Sequence, residues 1–270
     1  MFPVVFRIGS FAVTSFGVMM FFSFVVGAWI LGRQLERYAI NPQLAWDLLA
    51  WIAVGGIIGA KVWYLALHAS DWMADPIGET FSRGGLVWYG GFIGGVTAYW
   101  LQIRGRKLPM ATMFDATAPA LAIAIAIGRI GCFLVGDDYG LPTNSWVGVI
   151  FPEGASPPST AGYLRSVGAD IPASVPDTQL VAVHPTQLYE VGIALVMFAL
   201  LMRWSRRRHH RGEMFALFMI LYAIERFFIE IVRAKGDRIV FGLSTAQTAS
   251  ILLVLLGTFV LIRARKGSIA

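Results

Sequence analysis

The stretch from Met113 to Gly140, MFDATAPALAIAIAIGRIGCFLVGDDYG, places a charge near the end of a long apolar run. An arginine or lysine at the middle of a membrane helix costs about 2.5–3.5 kcal/mol on insertion scales. A chain keeps such a charge mainly where the interior of a helix bundle pairs with it. Glycines flank Arg129, and an acidic pair follows. The stretch therefore predicts a membrane helix that ends in a polar site, where backbone and ligand approach closely.

The composition fits a membrane protein, since 57% of the residues are hydrophobic and only 14% are charged. A soluble domain is about 25% charged. We predict an all-α integral membrane protein, one membrane domain over 1–270. The connection 136–185 forms a small head with a short strand at Trp146–Phe151. Seven segments are long enough to cross about 30 Å of hydrocarbon: 12–32, 44–67, 86–103, 113–134, 186–203, 213–232 and 244–262.

The basic residues predict the orientation of these helices. Thirteen of the 22 Lys and Arg residues fall in one set of alternate loops: Arg33, Arg37, Arg104, Arg106, Lys107, Arg203, Arg206, Arg207, Arg208, Arg211, Arg263, Arg265 and Lys266. The other set of loops holds Arg7, Arg83, Arg165, Arg233, Lys235 and Arg238. By the positive-inside rule, the N-terminus lies outside, the C-terminus lies in the cytoplasm and the 136–185 head lies outside.

Polar residues of several predicted helices reach the same depth. In this orientation Arg129 lies about 24 Å and Arg226 about 20 Å from the cytoplasmic start of its helix, at 1.5 Å per residue. Lys61 lies at a similar depth. Glu190 and Tyr89 lie on helices that enter from the outside, near their outer ends. We therefore expect these side chains to meet in the outer half of the membrane.

The sixth predicted helix carries a polar face. Tyr222, Arg226, Glu230 and Arg233 follow at spacings of four, four and three, which places them on one side of a helix. One interpretation is a structural Arg226–Glu230 pair that only holds the bundle together. Alternatively, two or three cations at this depth form a socket for phosphate, because guanidinium binds phosphate oxygens in a fork. With apolar walls around it, such a phosphate belongs to a phospholipid headgroup.

Three motifs together resemble the bacterial prolipoprotein diacylglyceryl transferases: GRIG at 128–131, HPTQLYE at 184–190 and ERFFIEIVR at 225–233. The resemblance runs from about Ser15 to Leu261. It implies transfer of the diacylglyceryl group of phosphatidylglycerol to the lipobox cysteine of a preprolipoprotein, which forms a thioether and releases glycerol phosphate. It also implies a multi-pass protein of the bacterial cytoplasmic (inner) membrane whose active site faces the outer leaflet and needs no cofactor.

Several residues match the family pattern. Arg129 matches the arginine of the GR-x-G-N-F signature, and Gly140 matches the glycine that closes it. Arg226 matches the essential arginine of the sixth helix, with Glu230 in the acidic position four residues on. Other positions depart from the pattern: Lys61 stands for an arginine, Tyr89 for the histidine of H-G-G-L, Cys132 and Val135 for asparagines, Asp137 for a glutamate and Phe16 for a tyrosine.

Attack by a thiol needs a group that takes its proton. Without the family histidine, the candidates are Tyr89, Asp137, Asp138 and Glu190, or no single dedicated base. We predict four catalytic residues, Arg129, Arg226, Asp137 and Tyr89. The predicted substrate-binding residues are Lys61, Gly90, Gly91, Gly136, Gly140, His184, Gln187, Glu190, Tyr222, Glu230 and Arg233.

Other functions have less support in the sequence. One cysteine and no H-E-x-x-H motif predict no metal site. The basic run 206–211 is typical of a cytoplasmic anchor beside anionic lipid, not of a nucleic-acid site. A lipid transporter would place polar residues in both leaflets. A paralogue with another acceptor, or a non-catalytic phospholipid-binding protein, is the alternative that the departures from the family pattern leave open.

Overall fold

The computed structural model describes residues 3–9, 11–82, 85–207, 209–234, 238–240 and 242–266. Arg83, Arg208 and Lys235, which entered the charge count, lie outside the described residues. In chain order the elements are β1 (Val4–Ile8), β2 (Phe11–Thr14), α1 (Ser15–Arg37), α2 (Leu44–Leu67), α3 (Ala69–Ala74), α4 (Pro76–Phe81), α5 (Trp88–Gly105), α6 (Met110–Val135), α7 (Ala161–Ser166), α8 (Thr186–Trp204), α9 (Glu213–Val232), β3 (Arg238–Val240), β4 (Leu243–Ser244) and α10 (Thr245–Arg265). The strands form two antiparallel pairs, β1 with β2 and β3 with β4.

Each of the seven apolar segments overlaps a helix of 18 residues or more, although the first, 12–32, begins in β2, three residues before α1. Five of the described helices, α1, α2, α6, α8 and α10, are long and apolar enough to cross a membrane. These helices fit an integral membrane protein. The remaining two are more polar: α5 contains Gln102 and Arg104, and α9 contains Glu225, Arg226 and Glu230. Their crossing of the membrane stays a prediction, as does the orientation.

The chain forms two compact units, Met1–Ile30 with Phe114–Ala270, and Leu31–Met113. In the larger unit α9 packs against α8 and α10. Small residues allow these helices to approach, as is usual where lipid removes the hydrophobic drive between helices. A Cβ on Gly257 of α10 would lie 2.9 Å from a side-chain carbon of Ile220 in α9. Alanines of α6 contact α8 and α9 in one apolar cluster: Ala118, Ala122, Met197, Leu201, Met214 and Phe218.

A buried carboxylate fixes the start of α9. Asp115, near the start of α6, is fully buried, and its two oxygens accept hydrogen bonds from the backbone N–H groups of Gly212 (2.6 Å) and Phe215 (2.9 Å). Helix α9 receives no side-chain cap from its own N-cap residue, Gly212. Asp115 therefore satisfies N–H groups that a helix start leaves without partners.

The 136–185 segment is packed around an apolar core of its own. Phe151, Leu164 and Val183 are fully buried in it, and the ring of Tyr139 stacks on Phe151 at 4.9 Å. The strand predicted at Trp146–Phe151 is wrong. Within that stretch a turn closed by the hydrogen bond from Gly148 N–H to the Ser145 carbonyl oxygen precedes Val149, which forms an isolated bridge with Val183.

In the smaller unit α2 and α5 cross at glycines. A Cβ on Gly59 would collide with the carbonyl oxygen of Gly90, and one on Gly90 with the carbonyl oxygen of Gly59. A Cβ on Gly55 would lie 2.6 Å from the Cβ of Ala98. The two backbones therefore approach as closely as glycine permits, the geometry of small-residue helix pairs in membranes.

Candidate active site

A left-handed turn ends α6 and starts the site. Gly136 has φ +77°, and its N–H and that of Asp137 both donate to the carbonyl oxygen of Cys132, at 2.9 and 3.2 Å. This is a glycine cap of the helix C-terminus. A Cβ on Gly136 would lie 2.7 Å from the Cβ of Ala155. The conformation and the packing therefore both account for glycine at this predicted site position.

Asp138 continues the turn with φ +60°, a conformation uncommon outside glycine but tolerated by aspartate. Its carboxylate contacts two guanidinium groups. Oδ2 lies 3.1 Å from Nη1 of Arg129, and Oδ1 pairs with Arg233. The backbone conformation thus turns the carboxylate between two arginines that are distant in sequence.

The start of α8 holds this turn through its side chains. Thr186 and Gln187 are fully buried; the hydroxyl of Thr186 donates to the carbonyl oxygen of Asp138 (2.8 Å), and the amide of Gln187 donates to that of Asp137. His184 lies 3.0 Å from the hydroxyl of Tyr189 through its Nδ1. In this structure the HPTQ motif therefore holds the backbone that follows α6 in place through hydrogen bonds.

Gly140 lies where the ends of α6, α8 and α9 meet. Its N–H donates to the carbonyl oxygen of His184 (2.8 Å), and the next N–H, that of Leu141, donates to the carbonyl oxygen of Val232 (2.8 Å). A Cβ on Gly140 would lie 2.6 Å from that oxygen, 2.8 Å from Cγ2 of Thr186 and 2.9 Å from the Cβ of His184. Only glycine fits this junction without displacement of its neighbours.

Ion pairs at the junction form a continuous series of alternating charge, here called the ion-pair chain. Glu190 of α8 lies between two guanidinium groups, with Oε2 3.0 Å from Nε of Arg129 and Oε1 3.7 Å from Nη1 of Arg226. Arg226 also lies 2.9 Å from Glu230, one helical turn later. In order, the ion-pair chain consists of Arg233, Asp138, Arg129, Glu190, Arg226 and Glu230.

The ion-pair chain is largely buried. The side chains of Glu190 and Glu230 are each 3% exposed, and those of Arg129 and Arg226 are 19% and 16% exposed. Three guanidinium groups thus meet three carboxylates, so the predicted socket is balanced in charge. Among the described residues, Nη1 of Arg226 and Nε of Arg233 are buried donors without a hydrogen-bond acceptor.

The structure corrects the position of Arg233. The prediction that it shares one helical face with Tyr222, Arg226 and Glu230 is wrong, because α9 ends at Val232. Arg233 is extended (φ −83°, ψ 139°) and forms an antiparallel bridge with Gly140. Pairing with the segment after α6 replaces the next helical turn, and the side chain joins the cluster through Asp138.

Tyr222 and Glu225 lie on α9 beside the ion-pair chain. Tyr222 is partly buried, is within electrostatic range of Arg226 and stacks on Phe218 at 5.9 Å. Glu225 is 7% exposed and lies within electrostatic range of Glu190 and Arg226. Sequence reasoning missed Glu225 as a site residue. An ionisable residue within an apolar helix is the signal that marks it.

Asp137 lies beside the thiol of Cys132. Its carboxyl group accepts a hydrogen bond from the thiol, and Nη1 of Arg129 lies 3.9 Å from the sulfur. Burial, and then the charge of Asp138, raises the pKa of the Asp137 carboxyl. The three acidic groups Cys132, Asp137 and Asp138 lie within 4.8 Å of one another. These three groups fit a metal ion poorly, because guanidinium groups already neutralise Asp138. The absence of a metal site stays a prediction.

Four predicted residues lie in the smaller unit. Nζ of Lys61 donates to the carbonyl oxygen (3.1 Å) and hydroxyl (2.9 Å) of Ser82. Tyr89 is 66% exposed. Gly90 is buried at the crossing of α2 and α5, and a Cβ on Gly91 would lie 3.4 Å from the carbonyl oxygen of Gly56. Helix packing gives a structural reason for glycine at 90 but not at 91, where a Cβ would make ordinary contacts. Roles in substrate binding or catalysis stay predictions for all four.

Comparisons with known proteins identify relatives over almost the whole chain. A family model described as prolipoprotein diacylglyceryl transferase matches residues 3–263. A phosphatidylglycerol–prolipoprotein diacylglyceryl transferase of Xylella fastidiosa is 31% identical over 274 residues, covering 95% of this chain and 90% of its own. Proteins with the same name from Clostridium tetani and Gloeobacter violaceus are 27% and 29% identical, covering 96% and 94% of this chain and 96% and 90% of their own.

Proposed function

Because this chain belongs to the prolipoprotein diacylglyceryl transferase family, we propose that it transfers the diacylglyceryl group of phosphatidylglycerol to the lipobox cysteine thiol of preprolipoproteins. The reaction forms a thioether and releases glycerol phosphate. The observation that carries the proposal within the structure is the pair of guanidinium groups, Arg129 and Arg226, held on either side of Glu190. Two cations that flank one anionic group suit the binding of a phosphodiester that becomes a leaving group.

The chemistry follows from the charges. The lipid phosphate binds Arg129 and Arg226 in exchange for part of their contact with Glu190, and each arginine keeps a second carboxylate, Asp138 or Glu230. The thiolate sulfur then bonds to the glyceryl carbon, and the carbon–oxygen bond to phosphate breaks. Charge grows on the departing phosphate, and preorganised donors aimed at developing charge are usually the largest contribution to catalysis.

The two arginines also favour the thiolate form of the attacking lipobox cysteine. A cysteine thiol has a pKa of about 8.5, and nearby cations lower it. We assign catalysis to Arg129 and Arg226, with Asp137 and Tyr89 as candidate proton acceptors. Substrate binding is assigned to Lys61, Gly90, Gly91, Gly136, Gly140, His184, Gln187, Glu190, Tyr222, Glu230 and Arg233.

The proposed setting is the bacterial cytoplasmic membrane. All seven long helices cross it, with the N-terminus outside and the C-terminus in the cytoplasm, as the distribution of basic residues predicts. The packed 136–185 head and the ion-pair chain then face the outer leaflet, where the phosphatidylglycerol donor and the lipobox segment of a preprolipoprotein meet. We also propose that the chain forms one membrane domain and that the transfer reaction needs no cofactor.

The experiment that tests the function combines purified protein, phosphatidylglycerol and a lipobox peptide, with mass spectrometry of the peptide. We expect a diacylglyceryl adduct on the cysteine, and Arg226→Ala should lower its rate of formation about 10²–10³-fold, as loss of one preorganised donor does. Arg165→Ala is the matched control, because Arg165 pairs with Asp177 within the head and contacts no member of the ion-pair chain. It should react like the unaltered protein.

A folded protein that binds phosphatidylglycerol, measured by native mass spectrometry, yet gives no adduct would contradict the proposal. That result would favour a non-catalytic phospholipid-binding protein or a different acceptor. An equal loss in Arg165→Ala and Arg226→Ala would show that the assay reports folding and not the reaction.

A further inference from the structure

Glu225 is a buried carboxyl group that the proposed reaction does not yet use. It is 7% exposed, and within the part of the chain that the structure describes its Oε1 has no hydrogen-bond partner. A buried polar group normally has a partner, and the exceptions in native structures require an explanation. Glu225 precedes Arg226 in α9, and the guanidinium group of Arg226, which we assign to the phosphate, lies within electrostatic range of its carboxyl group.

The three carboxylates of the ion-pair chain have cationic partners. Asp138 contacts two arginines, Glu190 contacts two, and Glu230 contacts one. These three carboxylates balance the three guanidinium groups of the ion-pair chain. Glu225 forms no ion pair among the described residues, so its carboxyl group is in excess of that balance and can exchange a proton without breaking the chain.

We propose that Glu225 is the catalytic residue that accepts the proton of the lipobox thiol. This inference rests on the proposed transferase function. In the step, the thiol S–H bond breaks and its proton passes to Oε1 of Glu225. The sulfur lone pair forms the bond to the glyceryl carbon, and the electron pair of the breaking carbon–oxygen bond stays on the phosphate. The proton later leaves Glu225 with the product phosphate or to water.

The surroundings of Glu225 suit this role. An ionised carboxylate with one oxygen buried and without a hydrogen bond carries a desolvation cost, and protonation removes that cost. The charged and titratable groups within electrostatic range of it are Glu190 from α8, Arg129 from α6, Tyr222 and Arg226 on α9, and Arg233 just beyond α9. Asp137 also lies outside the ion-pair chain and has a buried oxygen, Oδ1, without a hydrogen-bond partner among the described residues, but its carboxyl group already contacts the thiol of Cys132.

The test compares Glu225→Gln, Glu225→Asp and Asp137→Asn in single-turnover adduct formation over a range of pH. Loss of general acid–base catalysis lowers rates about 10²–10⁴-fold. We expect a loss of at least about 10²-fold in Glu225→Gln with unchanged phosphatidylglycerol affinity, and partial recovery in Glu225→Asp. The decline of the rate toward acidic pH should disappear in Glu225→Gln. Glu213→Gln, which removes another buried carboxylate from α9, is the matched control and should keep its transfer rate.

A second acceptor separates proton transfer from structure. A lipobox peptide with selenocysteine has a more acidic nucleophile that needs no base, so it should restore most of the rate of Glu225→Gln. If Glu225→Gln does not fold, Glu225→Asp carries the same comparison. A Glu225→Gln rate within threefold of the unaltered protein would overturn the inference, as would equal losses with both peptides, or a pH change seen only in Asp137→Asn. An unaltered protein that forms no adduct would instead refute the transferase function itself.

Discussion

Replacement of Gly140 by alanine tests the junction that holds the ion-pair chain together. The added Cβ would lie 2.6, 2.8 and 2.9 Å from atoms of Val232, Thr186 and His184, whereas ordinary contacts begin at about 3.4 Å. The nearest atom is a backbone oxygen that accepts the hydrogen bond of Leu141, so it cannot move without breaking that bond. Three segments must therefore separate by several tenths of an ångström.

Overpacking of this kind typically costs about 1–3 kcal/mol. For a chain of this size that corresponds to a fall in Tm of about 2–4 °C per kcal/mol. The separation also displaces the ends of α6 and α9, which carry Arg129 and Arg226. We therefore expect Gly140→Ala to lower both the Tm and the rate of adduct formation per folded molecule.

Gly128→Ala is the matched control, because it adds the same methyl group in the same signature. Apart from the adjoining residues and backbone of α6 itself, no atom of the described residues would lie within 4 Å of it. Inside α6 this change should leave the Tm unchanged or raise it, since alanine is favoured over glycine in helices by about 0.5–1 kcal/mol. Thermal unfolding in detergent and the peptide assay measure both variants. Equal melting temperatures for Gly140→Ala and the unaltered protein would refute the packing argument.

Two further predictions concern buried carboxyl groups. Asp115→Asn leaves one acceptor oxygen for the two N–H groups at the start of α9. We expect a loss of about 1–3 kcal/mol in the free energy of unfolding, the usual cost of an unsatisfied buried group, while the transfer rate per folded molecule is preserved. An unchanged Tm would contradict this capping role. Asp137→Asn should raise the Tm at neutral pH, because folding raises the pKa of this carboxyl and its ionised form therefore favours the unfolded state. The gain is complete above the folded pKa and vanishes below about pH 3.9, where the carboxyl is neutral in both states; melts at a series of pH values check this, and a gain that grows on acidification would show that the sign is wrong.

Hydropathy predicted the long helices because a helix in lipid must be apolar along most of its length. The predicted segment 213–232 has the same bounds as α9, and 113–134 differs from α6 by three residues at the start and one at the end. Helices α3 and α4 were not predicted, since six-residue helices leave too short a pattern. The apolar core of the 136–185 segment was also beyond prediction, because contacts such as Phe151 with Tyr139 follow no period.

The site shows the same division. Charges within apolar helices indicated that Arg129, Glu190 and Arg226 meet, and the ion pairs between them confirm this. The bridging position of Asp138 depends on a left-handed backbone at a residue that is not glycine, which no spacing rule predicts. The error at Arg233 has a similar origin, because a pairing with Gly140, distant in sequence, ends the helix where local spacing would continue it.

The alternation of charge along the ion-pair chain has a consequence for how the site empties after a turnover. Each interior member has a neighbour of opposite sign on both sides, so Arg129 and Arg226 each keep a carboxylate partner when they lose Glu190. Under the proposed reaction, Glu190 can return to both arginines as glycerol phosphate departs, and no anion from solution is needed to take its place. The carboxylate of Glu190 thus replaces the product. Product release becomes an exchange of glycerol phosphate for Glu190 at Arg129 and Arg226.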